Sequence, residues 1–337
     1  MSAATQRQAR HVIAIAYQRG FTLVELMISL ILGLLVVAAA GTIFISNQRT
    51  YAATQSLDRV QESARVAFEL MARDIREAGG SPCDVESPVA SVLNTTPALP
   101  WYAQWFQGVK GYGATDSAFD FSTSTGGRKT GTEALELKSA TAGASVSAHD
   151  TANARFTVDS NAHGLVTNDF AIVCDYGQTA IFRVTNAAST GNLITHAAAT
   201  GAGQNCTTGL GLPVNCAAGT VYPYGKNSVV ARVNATRWYV GNNDSGSTSL
   251  YRTVLRPGGV ESVEEVVPDI ESLRFEYLPT GSTTYRQASA LTTAGQWAEI
   301  RSVRVIIGLA GQGRVGPSGE VIKRELAFVA ALRNRNP

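Results

Sequence analysis

The stretch Arg19-Gly20-Phe21-Thr22-Leu23-Val24-Glu25, followed by the uncharged run Leu26–Gln48, decides the fold of this 337-residue chain. The run is 23 residues long and almost wholly apolar as far as Ile45. A helix needs about 20 such residues to cross a bilayer roughly 30 Å thick. Arg7, Arg10, His11 and Arg19 precede the run, and residues 1–20 contain no acid. Basic residues on that side predict a cytoplasmic N-terminus, one membrane crossing and a bulk outside the cytoplasm. A secretory signal has an apolar core of only about 7–15 residues before its cleavage site, so the pattern differs from one. Glu25 stands at the mouth of the apolar helix. One reading is an acid meeting the positive end of the helix dipole; the other is a functional group, because ionisable residues in such segments are expensive.

Outward from the run, the average composition says little and its unevenness says more. Formal charge is +2, and without the three arginines of residues 1–20 it becomes −1. Near-neutrality without a basic stripe argues against a nucleic-acid partner, and 45% hydrophobic residues exclude wholesale disorder. The helical pattern continues past the membrane run. Leu57, Val60, Ala64, Ala67, Phe68, Met71, Ile75 and Ala78 recur three and four apart, and charged residues take the other positions. Glu69 and Arg73 have the favourable acid-first i,i+4 order. Gly79-Gly80-Ser81-Pro82 reads as the stop. The expected layout is a leader (1–20), a membrane half (21–48), an amphipathic half (49–80) and a head (81–337).

Strand-like runs separated by Gly, Asn and Ser clusters fill most of the head, as antiparallel sheets require. They fall at Ala134–Lys138, Arg155–Val158, Phe170–Cys174, Ala180–Thr185, Ser228–Val233, Arg237–Val240, Ser249–Leu255 and Ser272–Leu278. Ile300–Leu309 and Glu320–Leu332 form a closing hairpin, and 241–247 a turn. The aromatic segment from Leu99 to Phe106 reads as a loop anchored on the core rather than a partner surface. The head is thus expected to be large, antiparallel and β-rich, and the fold class α+β.

All four cysteines, Cys83, Cys174, Cys206 and Cys216, follow the membrane run. An even number outside the cytoplasm favours disulfides. Cys206 and Cys216 bracket Gly209, Gly211 and Pro213, which suggests a local staple and leaves Cys83 for Cys174. No C-x-x-C spacing supports a metal site. No H-E-x-x-H or G-x-S-x-G motif occurs, and His149, His163 and His196 lie in Thr/Ala/Asn-rich stretches. Gly311-Gln312-Gly313-Arg314-Val315-Gly316 spells G-x-G-x-x-G, but Pro317 and a strand follow where a dinucleotide site needs a helix. No catalytic, cofactor-binding or metal-binding residue is assigned, and no cofactor or enzymatic activity is expected.

The stretch from Gly20 to Glu25 resembles the class III signal of type IV pilins and type II secretion pseudopilins. The resemblance implies cleavage by a prepilin peptidase between Gly20 and Phe21, N-methylation of Phe21, and a role for Glu25 in assembly. A carboxylate there is tolerable in an apolar bundle if a neighbouring subunit's new amine neutralises it, since attraction rises as the dielectric falls. The 20-residue leader is longer than many in the family. Arg49-Thr50-Tyr51, the run Val60–Phe68, Ala72–Gly79, Gly108–Tyr112, Ile270–Tyr277 and Ala331–Arg335 narrow the likeness to PilW-like minor pilins. It is strongest over Gly20–Gly80, patchy in the C-terminal third and undetectable between Thr115 and Val221.

That likeness implies a lollipop of one long helix carrying the head. It implies an inner-membrane protein, head in the periplasm, that joins other minor pilins and the major pilin. Together these prime pilus assembly and end at the extracellular fibre tip, often with a large tip adhesin. A J-type pseudopilin of type II secretion shares the signal. A helix-anchored periplasmic enzyme or ligand-binding domain is the rival of another class.

Overall fold

A computed structural model describes residues 20–82, 87–96, 98–104, 108–140, 143–188, 191–311 and 320–335. The leader expected over residues 1–20 therefore lies outside the described residues except for Gly20. The chain divides into two compact units, Met1–Thr54 and Gln55–Pro337.

One helix, α1 (Leu23–Glu77), belongs to both units. In the first, every described residue as far as Tyr51 is exposed, and this helix is long and apolar enough to cross a membrane. Several of its hydroxyls bond back to the helix backbone. Ser29 donates to the Glu25 carbonyl (2.7 Å), Thr42 to Ala39 (2.8 Å) and Thr50 to Ser46 (3.0 Å). Back-bonding of this kind lets a hydroxyl sit where no water is available.

In the second unit α1 buries Val60, Ala64, Ala67, Met71, Ala72, Ile75 and Ala78. The expected face is present, with Ala72 and Ser56 added to it and Leu57 and Phe68 only half-buried. Four alanines on that face let sheet side chains approach the helix closely. Glu69 does not pair forward with Arg73 as expected. The pairs formed are Arg65–Glu69 (2.9 Å) and Arg73–Glu77 (3.6 Å), both largely exposed. Each acid bonds the arginine one turn before it, so orientation rather than spacing was misread. The helix stops where glycine permits. Gly79 takes φ +70° and donates to the Lys138 carbonyl (2.8 Å), while Gly80 closes on the Glu77 carbonyl (3.0 Å).

The strands in chain order are β1 (Val89–Ser91), β2 (Val109–Tyr112), β3 (Ala134–Ala140), β4 (Ala144–Asp150), β5 (Arg155–Val158), β6 (Phe170–Cys174), β7 (Thr179–Arg183), β8 (Asn186–Ala187), β9 (Leu193–Thr195), β10 (Val229–Asn242), β11 (Thr248–Arg256), β12 (Val260–Pro268), β13 (Ile270–Pro279), β14 (Ile300–Ala310) and β15 (Lys323–Ala331). A short helix, α2 (Ala294–Ala298), with a Thr293–Gln296 capping box, precedes β14. Among the described residues, twelve strands form one sheet and β13-β14-β15 another.

Strand β10 organises the head. The expected pair Ser228–Val233 and Arg237–Val240 is one strand of 14 residues. Asn234 does not break it, because Asn234 pairs with Ser139 inside the antiparallel ladder to β3. The first residues of β10 pair with β4 and β6, its middle with β3 and its end with β11. Pairing is antiparallel except between β1 and β7. The closing hairpin β14–β15 and the turn after Asn242 form as expected. Strands β1, β2, β4, β8, β9 and β12 were not anticipated. Several are two to four residues long, and β12 carries Glu261, Glu264 and Glu265, so its alternation looks like a solvated loop.

Two main cores result. One lies between α1 and the strands β10, β11, β13, β14 and β15, and includes Met71, Ile75, Trp238, Phe275 and Ile307. The other lies among β1 and β4–β7 with the start of β10, and includes Phe156, Val173, Phe182 and Val230. Trp101 and Tyr102 pack half-buried on a third cluster around Phe170. That agrees with an anchored loop; Trp105 and Phe106 lie outside the described residues.

Candidate processing and assembly site

Gly20 and Phe21 precede α1 without regular structure, and both are exposed; Phe21 is 80% exposed. No described atom lies within 4 Å of where a Gly20 Cβ would be. Among the described residues, then, nothing opposes a side chain at this position. Thr22 starts the helix. Its Oγ1 accepts from the Glu25 amide at 3.2 Å, which makes Thr22 the N-cap and Glu25 the third helical residue. T-x-x-E is the capping-box pattern, a local signal in the sequence, and one of its two hydrogen bonds is formed here. The Glu25 side chain itself is exposed. Its carboxylate sits in the first turn, where the helix dipole favours negative charge, and it is free to meet a cation supplied from outside the chain.

The other sequence-selected residues lie in the second unit. Cys206 and Cys216 form a disulfide with Cα atoms 5.1 Å apart. Cys174 is also disulfide-bonded; Cys83, its expected partner, lies outside the described residues. His149 and His196, each in a Thr/Ala/Asn-rich stretch, come together with their Nε2 atoms 3.2 Å apart. His149 Nδ1 accepts the Tyr224 amide, so His149 donates through Nε2 to His196. Burial lowers His149 to about 4 and His196 to about 3. Both are neutral near pH 7, and His149 Nδ1 is already engaged, so the pair acts as a packed hydrogen bond among aromatic rings. His163 accepts from the Leu165 amide and lies apart. Glycine-rich residues 312–316 lie outside the described residues.

Polar contacts fix both faces of the central strands, one toward α1 and the others toward the aromatic loop. Trp238 Nε1 donates to Asp74 of α1 at 2.9 Å, and burial raises the Asp74 carboxyl above its ordinary value. Burial alone would raise Glu136 too, but Lys138 and Arg237 beside it hold it below the ordinary carboxylate range. Arg237 bonds Glu136 (2.9 Å) and lies over the Trp101 ring. These side chains join β3, β10 and the aromatic loop into one block.

Residues 15–41 match the family described as the prokaryotic N-terminal methylation motif, and residues 237–316 match the type IV pilus-assembly protein W family. Over these two stretches the chain is similar to the type IV pilus-assembly protein W family and carries the methylation motif of a class III signal. The first match contains Gly20, Phe21 and Glu25; the second runs from the middle of β10 through the end of β14. The two matches fall in the two regions where the likeness was expected, the N-terminal helix and the C-terminal third, and neither enters Thr115–Val221. No curated protein and no solved structure matches the PilW-like chain. Both matched families are structural components of pili. A minor pilin of the type IV pilus accounts for the signal, the apolar helix and the β-rich head together.

Proposed function

We propose that this pilin is cleaved after Gly20 by a prepilin peptidase, methylated on Phe21, and inserted by its helix into the inner membrane. The N-terminus faces the cytoplasm and residues 81–337 face the periplasm, tied there by the cysteine pairs. The protein then joins other minor pilins and the major pilin, primes pilus assembly and travels to the fibre tip, where a large tip adhesin is a fitting partner. Its role is structural and not enzymatic, and needs no cofactor or nucleic acid.

The observation that carries this reading is the coupling in one helix of an exposed, apolar half, charged only at Glu25 before Arg49, and a half built into the head core. The bare apolar half suits lateral contact with other pilin helices. Glu25, exposed in the first turn, suits the amine of a neighbour, and that pairing would fix the register between subunits.

The test is complementation of a strain lacking this gene. Gly20→Ala is expected to leave the leader attached and abolish surface pili. Glu25→Ala is expected to be processed yet to be absent from sheared fibres. A helix-anchored periplasmic domain would work normally with both substitutions, and that result would overturn the proposal.

A further inference from the structure

Beside α1 the head carries a cavity of about 310 Å³ that the pilus reading does not use. Its walls follow from periodicity. Leu70, Arg73, Asp74 and Glu77 share one face of α1. Across from them Arg232, Asn234 and Thr236 alternate along β10, and the register sets Thr236 opposite Val254 and Trp238 opposite Arg252 of β11. Arg256 closes the rim.

Four arginines from three elements therefore line one cavity, and their partners do not use them up. Arg73 holds Glu77 at 3.6 Å with both side chains largely exposed. Arg252 and Arg256 both pair with Glu264, and Arg252 also attracts the Asp74 carboxyl. Arg232 pairs with no acid among the described residues, and the Arg252 Nε is buried without an acceptor. A buried donor left unpaired costs on the order of 1–3 kcal/mol, so an acceptor entering here is favoured. Asp74, the acid nearest the floor, already accepts from Trp238, and burial favours its neutral form. The last turn of α1 adds little opposing charge, because the Ala78 and Gly80 amides cap the Ile75 and Glu77 carbonyls.

The remaining walls narrow the ligand class. The side chains of Ser139, Asn234 and Thr236 make no hydrogen bond to described residues and are available to hydroxyl groups. Leu70, Val254 and Pro257 supply an apolar flank for a ring face. Ligand pockets run from about 300 to 1,000 Å³, so this one admits a single ring and not a peptide segment. We propose that the cavity binds a small hydroxylated carboxylate the size of one sugar acid. Arg232 and Arg252 take the carboxylate, and Asn234 and Thr236 take the hydroxyls.

The experiment is calorimetric titration of the mature full-length protein in detergent with galacturonate, galactose, sulfate and a glutamate-rich peptide. Saturable binding of galacturonate without binding of galactose is expected, weakened at least tenfold by Arg232→Gln. Arg256→Gln, at a side chain 52% exposed, should weaken it as well and decides the matter if the first variant does not fold. Absence of saturable galacturonate binding, equal binding of galactose, or unchanged affinity in a folded arginine variant would overturn the proposal. Sulfate binding as tightly as galacturonate, or the peptide binding more tightly, would also overturn it, in favour of a plain anion site or a protein-docking site. None of these outcomes depends on cleavage or piliation.

Discussion

In the core that packs on α1, the buried side chains are almost all apolar: alanines and Met71 from the helix, Trp238, Phe275 and Ile307 from the strands. In the core among β1 and β4–β7, apolar residues share the interior and its margins with His196, Asn205, Gln178 and Thr207. The first core is covered by a helix that brings its own hydrogen bonds. The second has no helix and must be closed by loops. Asn205 clasps both backbone groups of Arg183, Gln178 holds the Leu210 carbonyl, and the Cys206–Cys216 disulfide pins the loop above them. Enclosure by a helix permits an ordinary apolar core; enclosure by loops requires buried polar side chains with assigned partners. The boundary runs along β10, and the family match falls on the helix-packed side.

The largest perturbation should come from the helix side. Met71→Ala empties a fully buried site and is expected to cost about 2–5 kcal/mol. In amide exchange, protection should fall across β13–β15 and survive among β4–β7. Equal loss in both regions would mean that the two cores are one. Next in size, Cys206→Ser closes no ten-residue loop and should cost about 2–3 kcal/mol. The exchange change should be confined to the second core, and spread into β14 would contradict the separation.

Acid provides a third contrast. His149 and His196 titrate near 6.5 when unfolded and only at about 4 and 3 when folded. Below pH 6.5 the unfolded chain takes up protons that the folded chain refuses, so stability is lost as pH falls toward 4. The urea midpoint of the second core should drop between pH 7 and pH 5, and His196→Leu should flatten that dependence. An unchanged slope in the variant would remove the histidine pair as its cause. The smallest effect belongs to the helix surface. Glu69→Ala breaks an exposed ion pair with Arg65 and should leave the melting temperature almost unchanged.

Legibility in the sequence followed the same boundary. The helix, its buried face, its glycine stop and the closing hairpin were readable because one hydrophobic period runs through each of them. The Cys206–Cys216 pairing was readable because a ten-residue separation brackets turn residues. The second core was poorly readable, since β8 and β9 are two and three residues long and leave no periodic trace. The His149–His196 contact joins residues 47 apart that neither motif nor spacing connects. The arginine-lined cavity was hidden for a similar reason: Arg73, Arg232 and Arg256 meet only once β10 and β11 are in register. At the processing site the order was reversed. The motif was plain in the sequence, and the structure added the Thr22 cap that places Glu25 in the first turn.

The central claim is that the motif at the head of α1 is a working pilin signal. Mass spectrometry of the N-terminal peptide, from protein recovered out of the native membrane, tests it most directly. A working signal gives an N-terminal peptide that begins at Phe21 and carries one methyl group on its amine. An N-terminus upstream of Gly20, or an unmethylated start at any other residue, would contradict it.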